Sequence, residues 1–468
     1  MPPPGVARGA AMRAAGPEDV AAGGGQRGVR SWMLFDWANQ PFQTLILTFV
    51  FAPYFAAGVI GDPVRGQAVW GTASAVAGLA VALLAPVLGA VADRTGARKP
   101  WILAFSLPYI LGCLGLWLAA PDTPRLDLVL LAFGLAFVGS EFTIQFTNAM
   151  LPDLGPRAEL GRISGSGWAL GYVGGLVSLL LVLALLVPAP GSARTLIGIA
   201  PVLGLDPALG EPARATGPLS ALWYLLFAWP LFLFTPDTAR RGRLAGAVRG
   251  GLSDLVKALR GLGSHRSLAA YLLASMIYRD ALAALFTFGG IYAAGVLGWG
   301  AFQLGVFGIA AAGAGALGAW IGGRADRALG PKPVIVVTIW LLILVCLIVL
   351  GTAPGQAAFL PVPVGSKAPD LTFFFAGALL GAAAGALQAA SRTLLVHQAE
   401  GRIDGAQAFG LFALSGRATA FLGPAMIAAV TAATGSQRLG VSPILLLFVI
   451  GLGLLTWVKT GESTTESA

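Results

Sequence analysis

The stretch "GAVADRTGARKP" (89–100) and a second, "GGRADRALGPKP" (322–333), decide the architecture. Laid on each other without a gap they match at Gly89/Gly322, Ala92/Ala325, Asp93/Asp326, Arg94/Arg327, Lys99/Lys332 and Pro100/Pro333. Each follows a long apolar run, contains a Gly turn with an Asp ahead of it, and ends on basic residues suited to an anionic membrane surface. Charges that merely stop a chain in a membrane explain the cations. They do not explain an Asp-Arg pair recurring in register. The chain therefore reads as two halves that repeat each other in the same direction.

Both stretches lie in apolar surroundings: 56% of the 468 residues are hydrophobic and 11% are charged, against roughly a quarter charged in a soluble domain. A bilayer core of about 30 Å takes roughly 20 apolar residues per helix. Twelve such runs lie near 34–60, 67–92, 100–120, 127–150, 163–188, 218–235, 267–297, 300–323, 333–351, 369–393, 405–433 and 440–458. They are continuous rather than alternating, which excludes a β-barrel. The expected fold class is all-α, a polytopic membrane protein with twelve transmembrane helices in two parallel six-helix repeats.

The expected organisation is a cytoplasmic tail over 1–30, a six-helix half over 31–236, a cytoplasmic connector over 237–266, a second half over 267–459 and a tail over 460–468. Lys and Arg set the orientation. With both termini inside, the inner loops hold the clusters around Arg27, Arg94, Arg157, Arg240, Arg324, Arg392 and Lys459, while the outer loops hold only Arg65, Arg125, Arg194, Arg214, Lys367 and Arg438. The formal charge of +9 is thereby accounted for at membrane edges, and no nucleic-acid partner is expected.

Cys113 and Cys346 fall within apolar runs, and His265 and His397 fall in predicted loops, so neither a disulfide framework nor a zinc site is expected. "GAGALG" (313–318) satisfies GxGxxG but sits in an apolar run with no strand before it, and close helix packing through small residues accounts for it. There is no P-loop. No cofactor, no metal and no enzymatic constellation is expected.

Function rests on polar residues inside the runs, because a charge at a helix centre costs roughly 2.5–3.5 kcal/mol on insertion scales. The first run places Asp36, Asn39, Gln40 and Gln43 at i, i+3, i+4 and i+7, along one helix face, with Pro41 inviting a kink beside it. A water-accessible path there and a capping role for Asp36 are both open. The fourth run carries Glu141, with Gln145 and Asn148 at i+4 and i+7. An acid at that depth in apolar surroundings is a candidate proton carrier, or the partner of Arg417 or Arg279. The seventh run offers Tyr278, Arg279 and Asp280; the tenth Gln388, Ser391 and Arg392; the eleventh Ser415 and Arg417. Arg417 suits a substrate carboxylate, whereas Arg392 reads as a charge at the inner membrane edge. Trp168 and Tyr172, at i and i+4 of the fifth run, either wall a cavity with aromatic rings or, the preferred reading, pack between helices.

"GAVADRTGARK" resembles the loop signature of the major facilitator superfamily, whose parallel halves rock about a midplane site. "FDWANQPF" (35–42), "NAMLPDL" (148–154), "RISGSGWALGYVGG" (162–175), "FTFGGIYAAG" (286–295), "QAASRTLL" (388–395) and "FGLFALSGRATAFLGP" (409–424) are together similar to its vacuole-effluxer-like branch, which includes autophagy-related vacuolar amino-acid exporters.

The resemblance implies a secondary active transporter of a small polar metabolite, an amino acid, moved by efflux or proton coupling. The polar residues within the runs are the expected site: binding between the halves by Asn39, Gln40, Gln43, Gln145, Asn148, Tyr278, Gln388 and Arg417, with proton coupling through Glu141, Asp280 or Asp36. Gating falls to the loops that carry Gly89, Asp93, Arg94, Arg98, Asp326 and Arg327. The implied partners are a small-molecule substrate, the lipid bilayer and a proton, with the chain working as a monomer, in the inner membrane if bacterial. A drug or lipid exporter of the same superfamily, and a non-transporting membrane sensor or assembly protein, are the alternatives the residues leave open.

Overall fold

A computed structural model describes residues 25–237, 265–399, 412, 415–416 and 418–459. The first half contributes α1 (Gln26–Val59), α2 (Pro63–Thr95), α3 (Lys99–Gly115), α4 (Leu126–Asn148), α5 (Arg157–Leu185) and α6 (Thr216–Phe234). The second contributes α7 (Arg266–Val296), α8 (Ala301–Leu329), α9 (Pro331–Leu350), α10 (Ala368–Ala399), α11 (Leu422–Thr434) and α12 (Pro443–Leu455). Among the described residues eleven helical stretches are long and apolar enough to cross a bilayer; Leu422–Thr434 is a shorter apolar helix. The apolar runs thus appear as helices where they are described, the eleventh over Leu422–Thr434.

The helix ends follow local chemistry. Asp62 starts α2 by accepting from the Val64 and Arg65 amides, with Pro63 at the first helical position. Gly96 (φ 86°) ends α2 and Gly330 (φ 82°) ends α8, a backbone region that glycine enters without penalty. Lys99 Nζ donates to the Phe232 carbonyl at 2.9 Å, and Lys332 Nζ donates to the Val458 carbonyl at 2.7 Å. The same repeat position thus ties each basic loop to the end of the last helix of its own half. The repeat is visible as a three-dimensional equivalence.

α1 is the least regular helix. It is α-helical over Gln26–Pro41, widens to π geometry over Phe42–Phe49, and does so again over Phe55–Val59. Pro41 has no N–H, so the Trp37 carbonyl loses its intrahelical partner; Trp223 Nε1 on α6 takes that place at 3.0 Å.

Lipid gives apolar helices little reason to prefer each other to the bilayer, so close approach depends on small residues. "GAGALG" on α8 does this: a Cβ on Gly315 would lie 3.2 Å from the Gly381 carbonyl of α10, and one on Gly318 would lie 2.5 Å from the Ala382 Cα. Leu103, Leu107, Leu111 and Leu114 form an exposed stripe on α3, as a lipid-facing surface requires.

The two halves join most closely on the side away from the repeated loops. A Cβ on Gly71 of α2 would lie 3.0 Å from both the Pro424 carbonyl and the Ala428 Cβ of α11, and one on Gly290 of α7 would lie 2.5 Å from the Thr48 carbonyl of α1. Gln67 Nε2 crosses the same seam, donating to Thr431 Oγ1 at 2.8 Å and to the Gln437 carbonyl at 3.1 Å.

Candidate functional site

The polar face of α1 is divided among different neighbours. Asn39 is 2% exposed and exchanges hydrogen bonds with Ser140 Oγ of α4 at 3.2 and 3.3 Å, so it joins two helices. Asp36 and Gln40 turn instead to a glycine stripe on α5. A Cβ on Gly167 would lie 2.7 Å from Asp36 Oδ2, and one on Gly171 would lie 3.5 Å from Gln40 Oε1. Gln43 is half-buried, and its carbonyl accepts from Thr48 Oγ1 at 2.8 Å within the π segment.

Beside the glycines, the next positions of α5 carry Trp168 and Tyr172, with ring centroids 5.9 Å apart. The sequence suggests packing between helices, but they are 42% and 49% exposed. Trp168 faces the other half of the molecule: the Arg392 guanidinium of α10 lies over its ring at 5.1 Å from the centroid. Gly167, which faces the Asp36 carboxylate, directly precedes Trp168, so Asp36 and Arg392 approach adjacent positions of α5. The tenth apolar run ends near 393, but the helix continues to Ala399, which sets Arg392 about two turns inside it. Gln388 is half-buried one turn away on the same face of α10.

On α4, Glu141 is half-buried and is not without a partner, and Asn148 is exposed at the helix end. Gln145 Nε2 donates to the Ala85 carbonyl of α2 at 3.2 Å, beside Gly89, while its Oε1 has no partner among the described residues.

α7 holds α10 and α11. Tyr278 is fully buried with its hydroxyl 2.8 Å from Ser391 Oγ, so it sits in helix packing rather than at an open surface. Arg279 donates to the Phe412 carbonyl at 3.1 Å and lies over the Phe412 ring at 4.2 Å from the centroid. Asp280, 5% exposed, accepts from the Gly423 amide of α11 at 2.8 Å. That amide belongs to the first turn of a helix, where a carboxylate satisfies an orphan N–H and the positive end of the dipole. The adjacent, oppositely charged residues thus do not pair with each other; both grip the eleventh segment.

Arg417 lies outside the described residues, as do the side chains of Asp93 and Arg94. Arg98 is half-buried where its amide donates to Asp237 Oδ1 at 2.8 Å, Asp326 is half-buried at the end of α8, and Arg327 is exposed. A crevice between α7, α8 and α10, lined by Leu285, Phe286, Phe307, Phe373 and Leu380, is wholly apolar and contributes no polar group.

The side chains that α1, α5 and α10 bring near each other, Asp36, Gln40, Trp168, Tyr172 and Arg392, form the candidate site, with Gln388 one turn from Arg392 on α10 and Glu141 half-buried on α4. They come from both halves and lie nearer the basic loops than the tight seam does.

Residues 56–468 match a family model described as vacuole effluxer Atg22 like. The chain is 24% identical over 440 residues to an uncharacterized MFS-type transporter, YxiO, of Bacillus subtilis (strain 168), covering 93% of this chain and 96% of that protein. Among solved structures it is similar to a bacterial homologue of the human lysosomal transporter Spinster in an inward-facing, unoccupied conformation, with TM-score 0.59, 14% identity, and 94% of this chain and 97% of that one covered. It is also similar to FucP, a major facilitator superfamily transporter in the outward conformation, with TM-score 0.55, 16% identity, and 93% and 99% covered. These likenesses show the fold, two parallel six-helix repeats of the major facilitator type.

Proposed function

Since the chain belongs to the vacuole effluxer Atg22-like family, we propose that it exports an amino acid across the membrane by alternating access between its two halves. That it is a multi-pass integral membrane protein and a secondary transporter of the major facilitator type follows from family and fold together. The observation that carries the finer reading is that Arg392 of the second half lies over Trp168 of α5 in the first, beside the glycines that face Asp36 and Gln40. Groups of both signs at that depth are costly unless a polar ligand or water uses them.

The halves meet tightly on the side away from the basic loops, which supports reading this state as open toward those loops. By the charge rule that side is cytoplasmic, with both termini on it and the protein in the inner membrane if the cell is bacterial. Gly89, Asp93, Arg94, Asp326 and Arg327 on the last turns of α2 and α8, and Arg98 just before α3, then flank the loops that move as the halves rock. One chain holds both halves, which suits a working monomer. Glu141, Asp36 and Asp280 are the carboxyls available to carry a coupled proton.

The test is counterflow in proteoliposomes with labelled amino acids at two pH values. Exchange of one amino-acid class is expected, with Glu141→Gln keeping exchange but losing acceleration by a pH gradient. Silence across the panel from folded, inserted protein would defeat the amino-acid reading. An unchanged gradient response in Glu141→Gln would remove that residue from coupling.

A further inference from the structure

Asp36 and Arg392 lie in opposite halves and approach adjacent positions of α5, the Asp36 carboxylate at Gly167 and the Arg392 guanidinium over Trp168, yet among the described residues they form neither an ion pair nor a hydrogen bond. Their charged atoms are thus farther apart than the roughly 4 Å of an ion pair. Neither has a hydrogen-bond partner among the described residues; the only close contact of the Arg392 guanidinium described is the Trp168 ring. Both are half-buried, and a cation and an anion held apart between helices cost more than the same two joined. Polar residues flank both: Gln40 stands one turn from Asp36, Gln388 one turn from Arg392, and Tyr172 one turn from Trp168 with ring centroids 5.9 Å apart. Gly167 makes room for the Asp36 carboxylate, since a Cβ there would lie 2.7 Å from Oδ2.

We propose that Arg392 and Asp36 are the two specificity-determining anchors of the substrate site, Arg392 taking the carboxylate of a zwitterionic ligand and Asp36 its ammonium group. The inference rests on the amino-acid reading above and goes further by assigning each end of the substrate to one half of the protein. The planar guanidinium presents a two-pronged donor to a carboxylate, and the Trp168 face fixes its plane from the opposite side. The Asp36 carboxylate accepts from an ammonium group in the same way. A ligand with both charges joins the halves through two charge-assisted contacts, while a ligand with one leaves the other anchor unmet. Arg417, the cation favoured by sequence for this role, is not required by the arrangement.

The experiment uses the full chain in proteoliposomes, with L-leucine, L-glutamine and L-lysine, each beside its carboxamide and its N-acetyl derivative, as competitors of counterflow and as ligands in a thermal-shift assay. Wild type is expected to prefer the free amino acid over both derivatives by about 10- to 100-fold, the range of a charged hydrogen bond. Arg392→Gln is expected to abolish the preference over the carboxamide and keep the preference over the N-acetyl form. Asp36→Asn is expected to do the reverse. A helix-packing role would weaken all ligands in parallel and leave both ratios at the wild-type value, which would overturn the proposal.

If Arg392→Gln does not fold, Arg392→Lys decides: affinity for the free acid should fall with the carboxamide unaffected, and a parallel fall counts against the assignment. Restoration of wild-type counterflow by the charge exchange Asp36→Arg with Arg392→Asp would also overturn it, because the two charges would then need only each other. Wild type indifferent to every amino acid in the panel would defeat the amino-acid reading and this inference together, whereas unchanged ratios on an active transporter defeat only the inference.

Discussion

A proline can create a hydrogen-bond vacancy that another helix fills. Pro41 leaves the Trp37 carbonyl without its helical donor, and Trp223 Nε1 supplies one from α6 at 3.0 Å while the two indoles stack with centroids 5.4 Å apart. Trp223→Phe keeps an aromatic ring but removes that donor, so it should cost about 1–3 kcal/mol, the penalty of an unsatisfied buried carbonyl. Pro41→Ala restores an amide at position 41, and in that background Trp223→Phe should cost much less. A thermal-unfolding cycle in detergent over the four variants measures the coupling; additive effects would contradict the exchange of donors. Much of the site is legible at this scale. Asp36, Gln40 and Gln388 stand out as polar residues in apolar runs; Asp36 and Gln40 face the glycines of α5, and Gln388 is half-buried one turn from Arg392. Asn39 and Tyr278 stand out for the same reason, but Ser140 and Ser391 bond them into helix packing, because a polar residue in lipid signals a partner without saying which kind. Arg392 escapes the same reasoning, since basic residues near the end of an apolar run ordinarily mark the membrane edge.

At the scale of one helix, the glycines of α5 set how closely it can lie on α1. A Cβ on Gly174 would meet the Trp37 carbonyl at 3.0 Å and the Trp37 Cα at 3.1 Å, both of them backbone atoms that cannot turn aside. Gly165, on the same helix, has nothing within 4 Å of a Cβ. Gly174→Val should therefore force α5 away from α1, costing about 1–3 kcal/mol by overpacking, and should lower both the unfolding temperature and substrate exchange. Gly165→Val should leave both near the wild-type values, and equal damage from the two would show that glycine's role on α5 is not clearance. "GSGWALGYVGG" displays this stripe openly in the sequence. What it does not display is which glycine faces which helix, since that depends on a rotation about the helix axis fixed only by the neighbours. The repeated loop is legible in finer detail: the matching Lys99 and Lys332 make matching bonds to the last helix of each half.

At the scale of the whole molecule, the tight seam between α2 and α11 makes alternating access testable. Gly71, Ser74 and Gly78 share the face of α2 that meets α11, where a Cβ on Gly71 would lie 3.0 Å from the Pro424 carbonyl and one on Gly78 would lie 3.1 Å from the Phe421 amide. Ser74 is 6% exposed. A large side chain at Gly71 cannot fit while this side is closed, but it fits a state in which the halves have parted there. Gly71→Leu should thus move the population toward that state rather than unfold the protein. An overpacking cost of about 1–3 kcal/mol corresponds to a shift of about 5- to 150-fold in the ratio of the two states. A cysteine at Ser74 reports the shift, because both native cysteines, Cys113 and Cys346, are buried and give little background. Its labelling by a membrane-impermeant maleimide from the side away from the basic loops should be slow in the Ser74→Cys protein and many-fold faster once Gly71→Leu is added. The unfolding temperature should change little, because the substitution selects between two folded arrangements. If labelling stays slow in a folded double variant, the seam is a static joint and the halves do not part on that side. If labelling is fast but the protein has lost its unfolding transition, the seam holds the fold together and does not work as a gate.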